Sequence, residues 1–128
     1  MTLLFWEKTK EKRPWGGFEI LSSFPLASNN NKENITIKKI TVNPGKRLSY
    51  QAHQKRSEHW FIIKGTAQIT LNDTEHDIKI GESFNIQIRA KHRIKNASQA
   101  EPLIFIEIST GDFSEADVTR YEDDYGRV

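Results

Sequence analysis

Residues 45–65 read Gly45-Lys-Arg-Leu-Ser-Tyr-Gln51-Ala-His53-Gln-Lys-Arg-Ser-Glu58-His-Trp-Phe-Ile-Ile-Lys-Gly65. Successive side chains of a β-strand point to opposite faces, so Gln51 and His53 are predicted to point the same way. Glu58 opens the apolar run 60–63, which is typical of the partner strand in a hairpin-like pair. The stretch therefore predicts two strands that bring an amide, an imidazole and a carboxylate together.

A second imidazole comes from later in the chain. The stretch from Gly81 to Asn96 contains Ile86 and Ile88 and then His92. Two imidazole nitrogens, one carboxylate oxygen and one amide oxygen suit a borderline divalent metal ion, with one or two coordination positions left for a substrate. We therefore predict a metal site built from Gln51, His53, Glu58 and His92.

The rest of the sequence predicts an all-β protein. Turn signals at 72–73, 81–82 and 97–98 separate many short apolar segments, which is typical of a sandwich or barrel. The predicted strands cover residues 17–21, 35–42, 48–51, 58–63, 67–71, 76–80, 83–88, 92–95 and 103–108.

Two irregular features are also predicted. In the second strand the apolar residues change phase, since Ile35 and Ile37 are odd whereas Ile40 and Val42 are even, and a β-bulge at 38–39 would account for the change. A short C-terminal helix is predicted at 114–117, because Ser114 and Asp117 have the spacing of a capping box.

Composition limits the function classes. A chain of 128 residues is one domain long, and 36% hydrophobic residues allow a modest core. No apolar run approaches the roughly 20 residues of a membrane span, no secretory signal is recognisable, and there is no cysteine for a disulfide or a thiolate site. A net charge of +2 argues against nucleic acid as a partner. We expect a cytoplasmic protein that binds neither membranes nor nucleic acid.

Positive charge is concentrated near the predicted ligands. Lys55 and Arg56 lie beside the first three, and Arg89, Lys91, Arg93 and Lys95 flank His92. An anionic small molecule such as a sugar phosphate would be favoured there. His59 alternates away from Glu58, and His76 lies in a polar stretch, so neither is predicted to be a ligand.

The spacing around Gln51, His53 and Glu58 resembles the first cupin motif, and residues 81–96 resemble the second. The implied fold is the cupin double-stranded β-helix, a jelly-roll β-barrel. Where the second motif usually has Pro and Gly, this chain has Gln87 and Arg89, so the turn before His92 is expected to differ.

Within cupins the chain is most similar to the type II mannose-6-phosphate isomerase domain. The resembling segments are Arg13-Pro-Trp-Gly-Gly-Phe-Glu19, Ile40-Thr-Val-Asn-Pro-Gly45, Leu48-Ser49, Arg56-Ser-Glu-His-Trp60, Gly65-Thr-Ala-Gln-Ile69, His92-Arg93 and Tyr125-Gly-Arg127. In this family a Gln, a His, a Glu and a second His are the expected ligands, so Gln51 fits the pattern. The resemblance implies one isomerase-like cupin over residues 13–128 after an N-terminal extension of residues 1–12.

The resemblance implies a metal-dependent interconversion of mannose 6-phosphate and fructose 6-phosphate. Zinc is the first expectation for the metal, and manganese, cobalt, nickel and iron are compatible. Arg56 and Arg93 are the predicted catalytic residues, which would hold phosphate or stabilise an enediolate, and the sequence singles out no general base. A homodimer is expected. Two alternatives stay open: a sugar-phosphate-binding or regulatory cupin without catalysis, and, less favoured, a metal-dependent dioxygenase.

Overall fold

The described part of the protein contains eleven β-strands in two antiparallel sheets. The structure is a computed structural model, and it describes residues 10–25, 33–112 and 116–128. In chain order they are β1 (Lys10–Arg13), β2 (Gly16–Pro25), β3 (Asn34–Val42), β4 (Tyr50–Ala52), β5 (Arg56–Lys64), β6 (Thr66–Leu71), β7 (Thr74–Lys79), β8 (Ser83–Ile86), β9 (His92–Asn96), β10 (Leu103–Gly111) and β11 (Thr119–Glu122). The first sheet has the order β1-β2-β3-β10-β5-β8, and the second has the order β11-β4-β9-β6-β7. The predicted all-β class is confirmed.

Two strands were not predicted, and the predicted helix is not seen. The strands β1 and β11 read Lys-Glu-Lys-Arg and Thr-Arg-Tyr-Glu, which are polar edge strands without apolar alternation. Of the predicted helix, Ser114 and Glu115 lie outside the described residues, whereas Ala116 is in a turn and Asp117 is in irregular chain. In the described ranges no helix is long and apolar enough to cross a membrane.

The core lies between the two sheets. Its buried members are Trp15, Ile40, Val42, Trp60, Ile62, Ala67, Ile69, Ile86, Ile94, Leu103 and Phe105. Most of them come from alternate positions of β3, β5, β6 and β10, as expected for sheets with one face turned inward. Burial of these side chains holds the sheets together and fixes which residues of each strand face the interior.

The predicted bulge in β3 is wrong. Burial alternates without interruption along β3, so that Thr36, Lys38, Ile40 and Val42 all face inward, and β3 pairs with β10 in continuous register. The register shift lies instead in β2, at Leu21. The apparent change of phase arose because two inward positions of β3 carry polar side chains.

The inward face of the first sheet changes from apolar to polar along the strands. One row across β3, β10 and β5 consists of Ile40, Phe105 and Ile62; the next consists of Lys38, Glu107 and Trp60; and the third consists of Thr36, Ser109 and Glu58. Directly paired residues have side chains on the same face. The interior therefore has a packed apolar end and a polar end, and the cavity lies at the polar end.

Candidate metal centre and active site

Three of the predicted ligands meet at the polar end of the interior. His53 follows β4, Glu58 lies on β5 and His92 begins β9, and their ligand atoms all lie within 4.8 Å of one another. Nε2 of His53 is 3.3 Å from Oε2 of Glu58, and Nε2 of His92 is 3.7 Å from Oε1. Gln51 pairs with His92 across β4 and β9 and lines the same cavity. The fold thus brings all four predicted residues to one place.

The hydrogen bonds of the two imidazoles fix which nitrogen faces Glu58. Nδ1 of His53 lies 2.6 Å from the carbonyl oxygen of Asp117, and Nδ1 of His92 lies 2.9 Å from that of Ala90. A carbonyl can only accept, so each Nδ1 is the donor. In the neutral rings both Nε2 atoms then present lone pairs toward Glu58, as metal-ligating histidines do.

Glu58 is held in its ionised form. Its carboxylate accepts a hydrogen bond from Nε1 of Trp60 at 3.1 Å, and Nε of Arg56 lies 3.4 Å from Oε2. Burial alone would raise the pKa of Glu58, but the adjacent imidazoles of His53 and His92 and the guanidinium of Arg56 outweigh it and lower the pKa. Burial lowers the pKa of His92 and favours its neutral form. A carboxylate and a neutral imidazole are the forms that bind a metal ion.

The donor set fits a divalent cation. Two imidazole lone pairs and a carboxylate converge in a buried space, and acceptors this close repel one another unless protons or a metal ion lie between them. Nitrogen and oxygen ligands of this kind suit zinc and the other borderline divalent ions. His53, Glu58 and His92 could therefore hold a metal ion.

Asp117 secures the loop that carries His53, a role that sequence reasoning did not predict. Its carbonyl accepts from His53, and its carboxylate accepts from the amides of Gln54 and Lys55, each at 2.9 Å. Partial burial acts to raise the pKa of Asp117, but these amide hydrogen bonds and nearby positive charges lower it. The loop also packs closely on Gly111, where a Cβ atom would lie 2.1 Å from the carbonyl oxygen of Lys55.

The turn before His92 contains a residue with a strained backbone, Arg89. Arg89 has a φ of 70°, a left-handed conformation that glycine adopts freely and other residues adopt at a cost of about 1–2 kcal/mol. Its amide donates to the carbonyl of His53 at 2.7 Å, and the amide of Ala90 donates to the carbonyl of Gln87. The turn therefore links the two stretches that carry the ligands, although it has Arg where the cupin motif usually has Gly.

The two predicted catalytic arginines lie in different environments. Arg56 faces the ligands, with Nη2 3.1 Å from Nε2 of His53. Arg93 lines the same cavity, yet its guanidinium donates to the carbonyl of Leu48 and to Glu122 and lies 5.8 Å from the ring centre of Tyr50. Neighbouring residues on β9 leave the strand on opposite faces, so the guanidinium of Arg93 is held by Leu48 and Glu122 and not by the candidate ligands, although its side chain borders the cavity. A catalytic role for Arg93 stays a prediction.

Glu107 is a cavity residue that sequence reasoning missed. It lies on the inward face of β10, is buried, and accepts a hydrogen bond from the hydroxyl of Ser109 at 3.0 Å. Burial and the negative charge of Glu58 raise its pKa to about 7, against the lowering effect of Lys38 and Arg56. A signal was available, because Glu107 alternates in phase with the core residues Leu103 and Phe105.

The cavity wall is strongly basic. The basic residues that line it are Arg13, Lys38, Arg56, Arg93, Arg120 and Arg127, and the acidic ones are Glu58 and Glu107. Of these cations only Arg56 and Arg93 belong to the clusters noted in the sequence. Lys91, from the second cluster, lies over the ring of Tyr121 instead. The excess of positive charge favours an anionic ligand.

The two remaining histidines lie outside this site, as predicted. His59 points outward from β5 and is hydrogen-bonded to Asn85, and His76 packs against Phe84 with ring centres 5.2 Å apart. Neither belongs to a group of potential ligands in the described part of the chain.

Comparison with known proteins identifies the family. The family model described as mannose-6-phosphate isomerase C-terminal matches residues 5–123. The chain belongs to this isomerase family. It is 39% identical over 117 residues to the alginate biosynthesis protein AlgA of Pseudomonas aeruginosa, and 38% identical over 117 residues to the mannose-1-phosphate guanylyltransferase ManC of Salmonella typhimurium. Each match covers 91% of this chain and 22% of the relative, so this family member spans less than a quarter of their length.

The cupin fold expected for this isomerase-family chain is confirmed by a solved structure. Oxalate decarboxylase from Bacillus subtilis superposes with a TM-score of 0.70 at 19% identity, covering 91% of this chain and 31% of that one. At this identity the likeness shows the fold alone. The family therefore rests on the sequence match, and the metal centre on the geometry of His53, Glu58 and His92.

Proposed function

We propose that the protein is a metal-dependent mannose-6-phosphate isomerase, interconverting mannose 6-phosphate and fructose 6-phosphate. The observation that carries the proposal is the His53–Glu58–His92 cluster, which lies at the end of a cavity with a strongly basic wall. The family match supports the sugar-phosphate substrate. Gln51, His53, Glu58 and His92 would hold the metal ion, with zinc as the first expectation.

The reaction needs a proton moved between two carbons. When bound, a divalent metal ion supplies Lewis-acid polarisation of the oxygens on C1 and C2. In the direction from mannose to fructose, a base removes the proton from C2 of the open-chain aldose, and an enediol forms. The proton then returns to C1, while the hydroxyl proton of O2 passes to O1. The protein must therefore supply a base close to C1 and C2, and positive charge close to their oxygens.

Two side chains in the cavity suit these tasks. Arg56 lies beside Glu58 and His53 and would stabilise negative charge that develops on the enediol oxygens. Glu107 would carry the proton between C2 and C1, because it is the cavity carboxylate that is not part of the His53–Glu58–His92 cluster. A raised carboxyl pKa near 7 suits general acid–base catalysis.

Removal of the metal provides the first test. We expect a chelator to abolish isomerisation of mannose 6-phosphate, measured by coupled conversion of the fructose 6-phosphate formed. Adding back one divalent metal at a time should restore activity and show which ion serves best. Glu58→Gln, which removes one ligand charge, should lose metal and activity together. Full activity in metal-free protein would contradict the proposal.

A binding or regulatory role without catalysis is the alternative. It is supported by the basic cavity, because such a cavity serves binding of an anion as well as chemistry. Saturable binding of mannose 6-phosphate without turnover in metal-loaded protein would favour this role.

We also propose a homodimer, a cytoplasmic location, and the division of the chain into an extension (residues 1–12) and a cupin domain (residues 13–128).

A further inference from the structure

The basic residues of the cavity are not equivalent. Arg56 lies beside the candidate ligands, and Arg120 pairs with Gln51 across β11 and β4, so it lies at the same end. Arg93 is bound to Glu122, and Arg127 is bound through two nitrogens to both carboxylate oxygens of Asp123. Arg13 on β1 and Lys38 on β3 line the cavity from another side of the first sheet.

Lys38 is a buried cation on the cavity wall. It is 7% exposed, and its ammonium group lies 4.4 Å from the ring centre of Phe18. Burial of an ammonium group costs several kcal/mol unless nearby groups compensate. The cross-strand neighbour of Lys38 on β10 is Glu107, which also lines the cavity. A cation in this position favours an anionic ligand.

Arg13 approaches the same aromatic ring. Its guanidinium lies 5.1 Å from the centre of Phe18, and Nη2 forms an ion pair with Glu11. Nη1 donates to the carbonyl of Lys12 at 3.1 Å. The ion pair involves a half-exposed carboxylate and contributes little stability, and a guanidinium has five N–H donors, so others are left for a ligand. Two cations beside one ring repel each other, and an anion held by both would remove the repulsion.

The separation between these cations and the metal centre fits a hexose 6-phosphate. Lys38 on β3 and Glu58 on β5 are separated by β10, and neighbouring strands lie about 4.8 Å apart, which places their backbones roughly 10 Å apart across the sheet. In an open-chain hexose 6-phosphate, four carbon–carbon bonds separate C2 from C6. A sugar with C1 and C2 at the metal centre would reach the β1–β3 side of the cavity with its phosphate.

We propose that Arg13 and Lys38 form the subsite for the phosphate of the substrate, with Phe18 holding the two side chains in place. The choice of a sugar 6-phosphate rests on the proposed isomerase function, whereas the specificity for a phosphomonoester rests on the two cations. In this arrangement Arg56 acts at the reacting carbons, and the phosphate lies at the opposite end of the cavity.

The test compares binding and turnover in matched variants. Arg13→Gln and Lys38→Met should each raise the KM for mannose 6-phosphate by about 10–100-fold, as expected for loss of one charged hydrogen bond. In Arg13→Gln, kcat should change by less than a few fold. Competitive inhibition by inorganic phosphate should weaken in the same two variants. Lys12→Gln and Lys39→Met are the controls, because both side chains are exposed and come from the same two strands. Neither control should change KM.

Two further measurements distinguish loss of the phosphate subsite from loss of folding and from failure of the proposed isomerase function. Circular dichroism and thermal melting check that Lys38→Met folds, and the partly exposed Arg13 offers a second variant in which folding is less at risk. Calorimetric titration with mannose 6-phosphate measures the subsite even if the wild-type protein shows no turnover. If the wild-type protein binds mannose 6-phosphate without turnover and both variants lose this binding, the subsite is supported and the isomerase function is not. Unchanged phosphate binding in folded Arg13→Gln and Lys38→Met would overturn the subsite.

Discussion

At the scale of single residues, Glu107 is a carboxyl group whose burial must have a compensating use. It lies in the middle of β10, in phase with the core residues Leu103 and Phe105, where a leucine or valine would add to the core without a desolvation cost. Ser109 supplies one hydrogen bond, and the positive charges of Lys38 and Arg56 lie close enough to act on its pKa. This environment keeps the carboxyl group near the point of protonation, which a proton carrier requires.

We expect Glu107→Gln to lower kcat for mannose 6-phosphate by about 10²–10⁴-fold, the usual loss when a general acid–base is removed. Metal content, measured by atomic absorption, should stay the same, because the amide replaces a group outside the His53–Glu58–His92 cluster. KM should change little. Glu75→Gln, on the exposed strand β7, is the control and should leave kcat unchanged. A variant with normal kcat would exclude Glu107 as the proton carrier.

The same variant tests the raised pKa through stability. With a pKa of about 7 in the folded protein and 4.5 as its ordinary value, Glu107 binds a proton more tightly when folded. Its contribution to stability is therefore complete below about pH 4.5 and is lost as the pH rises to about 7. Glu107→Gln cannot ionise, so its free energy of unfolding in urea should decline less over this interval than that of the wild type. Equal pH dependence in the two proteins would show that the pKa is not raised.

At the scale of strands and loops, the sequence predicted the features that depend on alternation, namely most of the strands and the side to which their residues point. Alternation predicted that Gln51 and His53 point the same way, and the resemblance of residues 45–65 and 81–96 to the two cupin motifs implied that Glu58 and His92 join them. Contacts made only by the tertiary fold were not predictable, and these include the tether of Asp117 to the loop after His53. Arg93 illustrates the same limit, because its position next to His92 in sequence places it on the opposite face of β9.

The tether predicts that Asp117→Ala weakens metal binding. Loss of the carboxylate frees the amides of Gln54 and Lys55, so the loop and the ring of His53 are less firmly held. Loss of such supporting contacts typically lowers metal affinity by about 10–100-fold. Competition with a fluorescent zinc chelator would measure the change, with Asp77→Ala on β7 as the control. Wild-type affinity in folded Asp117→Ala would mean that the loop holds His53 without the tether.

At the scale of the whole molecule, the two faces of the first sheet differ in what covers them. The inward face meets the second sheet, whereas the outward face carries a row of half-buried or exposed apolar side chains on its central strands. These are Ile35, Ile37, Phe61, Ile63, Ile104, Ile106 and Ile108. A contiguous apolar surface of this kind is typical of a protein–protein interface.

This surface predicts how the proposed homodimer is held together. Phe61 and Ile63 are 41% and 38% exposed, and Phe61 lies opposite Ile106 on β10, so a charge at position 61 would lie in the middle of the apolar face. We expect the wild-type protein to sediment as a dimer and Phe61→Glu to sediment as a monomer with unchanged circular dichroism. Ile80→Glu is the control, because Ile80 is 64% exposed and lies in the turn between β7 and β8. A monomeric wild type, or a Phe61→Glu variant that remains dimeric, would place the interface elsewhere or remove it. Since burying apolar area provides most of the association energy of a homodimer, the effect of one glutamate at this position should exceed that of moderate changes in salt concentration.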